Sequence, residues 1–340
     1  MSTTQPPAPT APLPLGPEAS LPLGPEAPWL APLAGFSDLA FRLLCREHGA
    51  ACACSEMVSA KGLVYGSPGT EPLLATTPQD APLVVQIFGS EVRFLEDALR
   101  LLLDRGFAWF DLNAGCPVRK VVKTGAGAAL LRDPGLLLRL AEAMARLAGP
   151  GRVGVKTRIS WGPGPETVLD LAPRLESAGA GWLTLHPRTA TQGFAGRADR
   201  AALGRLKAAT RLPVLASGDL FTAEDARACL AETGVDGVMF ARGALGDPSV
   251  FGRLADLAAG RPPRPRPDLA GLILRHAALA REHLPGREAL LKMRTVVPRY
   301  VKGHPGAKAL RAELASCMTW EHLEDLVNTH LSPARGPFEA

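Results

Sequence analysis

Eight short apolar runs, separated by amphipathic stretches, limit what this chain can fold into. The runs are Trp29-Leu30-Ala31, then 50–54, 83–88, 109–112, 153–156, 182–186, 214–216 and 237–240. The stretches between them are helical in pattern. In residues 91–105, Val92, Leu95, Leu99 and Leu102 recur at helical spacing and Gly106 ends the segment. Residues 134–148 repeat the pattern with Pro134 near the start. Buried strands alternating with helices imply a parallel sheet. Eight such units match an α/β fold of the (β/α)8 TIM-barrel type. The alternative is an open, doubly wound sheet. Against it, no Gly-x-Gly-x-x-Gly turn follows the first run.

The barrel pattern covers residues 29–260. Before it, residues 1–28 hold nine prolines and a repeat, Leu13 to Ala19 and again Leu21 to Ala27. This segment reads as a disordered or polyproline-like tail that builds no core. After the barrel, the Arg-Pro run 261–267 reads as a linker. Residues 268–331 show helical periodicity and no strand, which predicts a helical domain of about four helices. Residues 332–340 are a tail. A 46% hydrophobic composition supports a sizeable core. No apolar run reaches membrane-spanning length, so membrane residence is not expected. The first cation is Arg42, so no basic leader opens the chain. Six scattered cysteines lack zinc or iron–sulfur spacing, which fits a reduced, cytoplasmic protein with no metal. Cys52 and Cys54 would share one face of a strand.

Charge is uneven. Residues 261–311 carry 12 Lys and Arg against 3 Asp and Glu, so the remainder is net acidic. A basic segment at one end of a near-neutral body suits a polyanionic partner, nucleic acid first, or else is a solvated helical face.

The densest chemistry lies at Asp111-Leu112-Asn113-Ala114-Gly115-Cys116-Pro117, followed by Val118-Arg119-Lys120. Gly115 permits positive φ and Pro117 fixes its own, so the chain turns sharply and presents Cys116 at a strand's C-terminal end. A lone cysteine is ordinarily a small buried apolar residue. Here an amide, Asn113, and three cations, Arg119, Lys120 and Lys123, flank the thiol, which suits proton transfer or nucleophilic attack. Those cations are expected to lower its pKa.

In a barrel, active sites gather at the C-terminal strand ends. Strand one ends in Pro32-Leu33-Ala34-Gly35. The later ends carry Gln86, Asn113, Lys156 with Arg158, and His186 with Arg188, followed by Ser217-Gly218-Asp219 and Ala241-Arg242-Gly243. Each alone has an ordinary structural explanation, but polar groups at six strand ends do not, because buried charge is costly without partners. Backbone N–H groups of Gly218 and Gly243, with Arg242, would cradle one phosphate. Lys156, His186 and Gln86 then suit a planar heteroaromatic cofactor with one phosphate, FMN rather than NAD or FAD. Lys156 would stabilise electron density on the reduced ring.

Five blocks together resemble the bacterial tRNA-dihydrouridine synthases, the B type most of all. They are Ala31 to Asp38, Ser55-Glu56-Met57, Val85 to Gly89, Asn113 to Pro117 and Gly125 to Leu131. Val155 to Arg158, His186 to Thr189, Ser217 to Asp219 and Ala241 to Gly243 continue it. The chain departs from the family pattern at Ser217, commonly Asn, at Pro187, usually Gly, and at Ala190, often Arg. The resemblance implies a monomeric FMN enzyme that reduces a uracil double bond in tRNA, with NADPH or NADH as electron donor. It implies FMN contacts from Pro32, Leu33, Ala34, Gln86, Lys156, His186, Ser217, Gly218, Asp219, Ala241 and Arg242. Cys116 would then be the proton donor to carbon 5, opposite a hydride arriving at carbon 6, with Asn113 orienting the base. The target base must be splayed out of folded RNA, which calls for remote phosphate contacts. Arg119, Lys120, Lys123, Arg158 and Arg188 near the mouth, and Arg294, Arg299, Lys302, Lys308 and Arg311 on the helical domain, are the candidates. Two other readings stand beside it. A free-pyrimidine dehydrogenase of the dihydroorotate type shares barrel and FMN but needs no basic helical domain. A non-catalytic RNA-binding protein would not need Cys116, Lys156 and Gly218.

Overall fold

A computed structural model describes residues 20–331. Nine parallel strands order the fold: β1 Trp29–Leu30, β2 Cys52–Cys54, β3 Val58–Ser59, β4 Leu83–Phe88, β5 Trp109–Ala114, β6 Val153–Arg158, β7 Trp182–His186, β8 Val214–Ala216 and β9 Gly237–Phe240. Eight of them close a barrel. β1 pairs with both β2 and β9, the ladder runs from β9 down to β4, and β4 pairs back to β2. The eight expected runs are those eight strands. β3 was not anticipated: two residues carry no period, and it exists because Val58 and Ser59 extend alongside Ile87 and Phe88. β5 and β6 run two residues further than expected, because Asn113 pairs with Lys156 and Ala114 with Thr157.

Helices join the strands. The helix Val92–Asp104 buries Leu95, Leu99 and Leu102, and Pro134–Ala148 begins where the Asp133 side chain accepts the Leu136 N–H. Between the barrel and these helices lies a continuous apolar cluster. A separate cluster fills the barrel's own floor, built on Trp29, Trp109 and Trp182. The Trp29 and Trp182 rings meet edge-on with centroids 5.6 Å apart. Two glycines make this possible. A Cβ on Gly154 would fall 2.0 Å from the Trp182 ring, and one on Gly237 would fall 2.7 Å from Leu215.

The expectation that residues 1–28 bury nothing fails for their described part. Leu21 is buried in the floor cluster, and Pro22 O accepts the Trp29 indole N–H at 2.7 Å. The second copy of the proline repeat plugs the base of the barrel. An indole N–H in an apolar floor needs an acceptor, and this segment brings one. Residues 1–19 and 332–340 lie outside the described residues.

Four helices follow the barrel: Leu269–His283, Gly286–Tyr300, Ala307–Leu314 and Trp320–Leu331. They share the outer apolar cluster, with Phe41 of the barrel 5.5 Å from the His276 ring. Lys292 reaches back to Asp38 and lies 3.6 Å from Glu56. The connecting run is strapped down. Arg261 and Arg264 bind Asp256, and Arg266 binds Asp247. Part of the basic excess is therefore internally paired. Among the described residues no helix is long and apolar enough to cross a membrane.

Candidate active site

The C-terminal strand ends enclose one cavity of about 240 Å³. Of the residues expected to hold the cofactor, Pro32, Leu33, Ala34, Gln86, Lys156, His186, Ser217, Gly218, Asp219, Ala241 and Arg242 line it, and Gly243 does not. Cys116, Asn113 and Arg158 line it too, with Met57, Phe194 and Phe221.

Cys116 sits on the turn after β5. Gly115 is needed there for a reason other than the one expected. Its φ is not positive. Instead, a Cβ would press to 3.2–3.3 Å against the Thr157 and Lys156 backbone. Gly127, at φ +62°, lies under the turn, where a Cβ would meet Cys116 O at 2.7 Å. Ala128 N donates to the same oxygen at 2.9 Å. The thiol is half-buried, and burial raises its pKa above the ordinary value, although the Val118 N–H, Arg158 and Lys156 oppose this. The expected lowering does not occur, because Arg119, Lys120 and Lys123 point to solvent on the short helix Arg119–Val122 and beyond. The thiol is protonated at neutral pH.

Asn113 was expected to orient a base. Its amide is instead engaged inside the protein. Oδ1 accepts from Gly115 N at 3.1 Å and Cys116 N at 3.0 Å, while Nδ2 donates to Gln86 Oε1 at 2.8 Å and faces Met57 Sδ at 3.6 Å. It holds the cysteine turn. Gln86 Nε2 donates in turn to Asp111 Oδ2 at 2.7 Å.

Lys156 points into the cavity, and among the described residues its ammonium has no hydrogen bond or ion pair. Burial pulls its pKa down to about 8, against the opposing pull of Asp111. Asp111 is pushed the other way, to about 7, again by burial, with Gln86 and Lys156 opposing. His186 is driven to about 2 by burial first, then by Lys156, Arg158 and Arg188, so the ring is neutral. Arg188 Nη1 lies 3.2 Å from His186 Nε2. A guanidinium only donates, so Nε2 accepts and Nδ1 carries the proton.

Arg158 and Arg188 do not serve as surface phosphate contacts. Both are 1% exposed. Arg158 donates to Gly115 O, Thr189 O and Gly193 O. Arg188 donates to Ala195 O, Gly196 O and both Asp219 oxygens. The two forks shape the loop that carries Phe194. Arg242 bonds Asp219 Oδ1 at 3.1 Å and lies over the Phe194 and Phe221 rings. Gly218, at φ +125°, leaves room for His186, whose Cδ2 would be 2.7 Å from a Cβ. Gly243 is not part of the cavity lining. It admits the Leu220 and Phe221 carbonyls, 2.6 and 2.9 Å from where a Cβ would sit.

Of the helical-domain candidates, Arg294 donates to Ala315 O, and Arg299 lies over the Phe36 ring at 5.4 Å. Lys302, Lys308 and Arg311 are exposed. Arg294 and Arg311 line a second, basic hollow between the helices.

Sequence reasoning named Asp111 without giving it a role and missed Thr184, Phe194 and Phe221. Asp111 Oδ1 and Thr184 Oγ1 are buried polar atoms without a hydrogen-bond partner among the described residues, just below the cavity. A carboxylate inside an apolar run was a signal for the first. The aromatics lie on loops and had none.

The arrangement fits a flavin mononucleotide. The half-buried Lys156 ammonium, without a hydrogen bond or ion pair among the described residues, the neutral His186 ring, Gln86 and the Gly218 and Arg242 turns all line the cavity.

Residues 29–334 match the family model described as Dihydrouridine synthase (Dus). The chain is 35% identical over 312 residues to the "Probable tRNA-dihydrouridine synthase 1" of Synechocystis sp., covering 90% of this chain and 86% of that one. It is 34% identical over 286 residues to the "tRNA-dihydrouridine synthase B" of Xanthomonas campestris pv. campestris, covering 83% and 86%. Among solved structures, TcOYE with pHBA superposes with a TM-score of 0.52 at 10% identity, covering 76% of this chain and 95% of that one. A morphinone reductase variant in complex with tetrahydroNAD gives 0.50 at 14%, covering 68% and 87%. These two share the barrel fold.

Proposed function

This chain belongs to the dihydrouridine synthase family, and we propose that it reduces uridines in tRNA to 5,6-dihydrouridine, with FMN as cofactor and NADPH or NADH as electron donor. Lys156, His186, Gln86, Pro32 to Ala34, Ser217 to Asp219, Ala241 and Arg242 would hold FMN. When bound, it supplies the hydride for carbon 6 of the uracil. The protein's task is the matching proton. As negative charge gathers on carbon 5 and the carbon-4 oxygen, the Cys116 thiol donates its proton to carbon 5. A thiol whose pKa burial has raised is in the right form to do so. Asn113 fixes the turn from which it acts. The Lys156 ammonium offers a charge toward which electron density can move.

The observation that carries this reading is the shared cavity: Cys116 and Lys156, whose ammonium has no hydrogen bond or ion pair among the described residues, line the same space at the strand ends. Arg119, Lys120 and Lys123 lie exposed beside the mouth and would grip phosphates, while Arg299, Lys302, Lys308 and Arg311 would steer the RNA body. A tRNA substrate places the work in the cell interior. The purified protein, supplied with FMN, NADPH and unmodified tRNA, should yield dihydrouridine by mass spectrometry of the digested RNA. Absence of dihydrouridine with a flavin-loaded protein would overturn the reading. A free-pyrimidine dehydrogenase would instead act on the base alone.

A further inference from the structure

Beneath Cys116 runs a chain of hydrogen bonds whose direction is forced. The N–H groups of Gly115 and Cys116 can only donate, so Asn113 must turn its oxygen to them, at 3.1 and 3.0 Å. Its Nδ2 then faces Gln86, which must present its oxygen, at 2.8 Å. Gln86 Nε2 is left facing Asp111, which must accept, at 2.7 Å. The links sit on adjacent strands, Gln86 opposite Asp111 in the β4–β5 register. Gln86 and Asp111 are both 1% exposed, so water does not substitute for a missing acceptor.

We propose that Asp111 is a positioning residue: it anchors the Gln86–Asn113 amide relay that holds the Cys116 turn against the cavity. It touches neither substrate nor cofactor. Its side chain lies a layer below the cavity lining, and it acts through two amides. Without an acceptor at position 111, the buried Gln86 Nε2 loses its partner, the amide turns toward the cavity, and Asn113 loses the contact that fixes its own direction. The relevance to catalysis rests on Cys116 being the acid.

The test reads the turn directly. The five other cysteines are buried, so iodoacetamide alkylation of Cys116, followed by peptide mass spectrometry on FMN-loaded protein without tRNA, reports on this one thiol. Asp111→Leu removes the acceptor and should speed alkylation by about fivefold or more, the size of effect of one unsatisfied buried donor. Its melting temperature should fall modestly, because the buried Gln86 Nε2 is left without an acceptor, so alkylation is compared at a temperature well below both the native and the variant transitions. Asp111→Asn keeps an acceptor and should stay within about twofold of the native rate. Both variants equally remove the counter-charge near Lys156, so any difference between them reads the relay alone. Dihydrouridine formation by flavin-loaded protein should slow more in Asp111→Leu than in Asp111→Asn. Native alkylation in Asp111→Leu, or the same change in both variants, overturns the proposal. If Asp111→Leu does not fold, Asn113→Ala cuts the last link and must speed alkylation likewise; a native rate there also overturns it. None of these rates requires turnover, so failure of Cys116 as acid would show separately, as undiminished dihydrouridine formation by Cys116→Ala.

Discussion

Asp219 binds the Arg188 guanidinium through both carboxylate oxygens, at 2.6 and 3.0 Å, from a left-handed backbone with φ +50°. Arg188 is almost wholly buried, so the pair is structural rather than a surface contact. Burial opposes ionisation of Asp219, but Arg188, the Ala198 N–H and Arg242 outweigh it and hold its pKa below the ordinary value. The stabilisation is therefore complete above the unfolded carboxylate pKa and is lost as pH falls through the lower folded value. Asp219→Ala leaves a buried cation unpaired and should destabilise the fold by about 3 kcal/mol in urea unfolding at pH 7. A loss within error of zero would mean that Arg188 finds other partners.

Lys156 has the same pH slope but contributes a penalty where Asp219 stabilises. Its folded pKa, about 8, lies below the unfolded value. Between the two values the unfolded chain binds more protons, so stability rises with pH across that window, and at pH 7 the full penalty is present. Lys156→Met should therefore raise the melting temperature of the flavin-free protein while weakening FMN binding. Calorimetry and fluorescence titration check the two arms. A lower melting temperature would show that Asp111 already compensates the charge.

The barrel floor leaves no slack. A methyl at Gly154 would lie 2.0 Å from the Trp182 ring, and that ring packs on Trp29 and Trp109. Gly154→Ala should cost about 1–3 kcal/mol by overpacking, read by denaturant midpoint. An unchanged midpoint would mean that the tryptophan cluster rearranges.

Much of this architecture was legible in the sequence, because each barrel strand is a short apolar run with its own helix behind it. What escaped depends on neighbours that a linear pattern does not show. Leu21 looks like part of a proline tail until Trp29 and Trp182 are placed beside it. Arg261, Arg264 and Arg266 count as free charge until Asp256 and Asp247 are brought opposite. The cavity lining was readable because strand ends converge in this fold. The direction of the Asn113 amide was not, because Gln86 and the Cys116 backbone decide it across strands.

The exposed cations beside the mouth lead to a prediction about salt. Replacing Arg119, Lys120 and Lys123 together with alanine should raise KM for tRNA, leave FMN binding intact and flatten the log–log dependence of affinity on salt by about 2–3. Filter binding over a salt series measures the slope. An unchanged slope would place the RNA elsewhere on the surface.

The central claim is that the Cys116 thiol delivers the proton from across the cavity. Its most direct test is a single-turnover experiment on Cys116→Ala, following flavin absorbance after NADPH addition and dihydrouridine after tRNA addition. The predicted result is flavin reduction at the native rate with dihydrouridine formation lost. Dihydrouridine formed at the native rate by that variant would contradict the account.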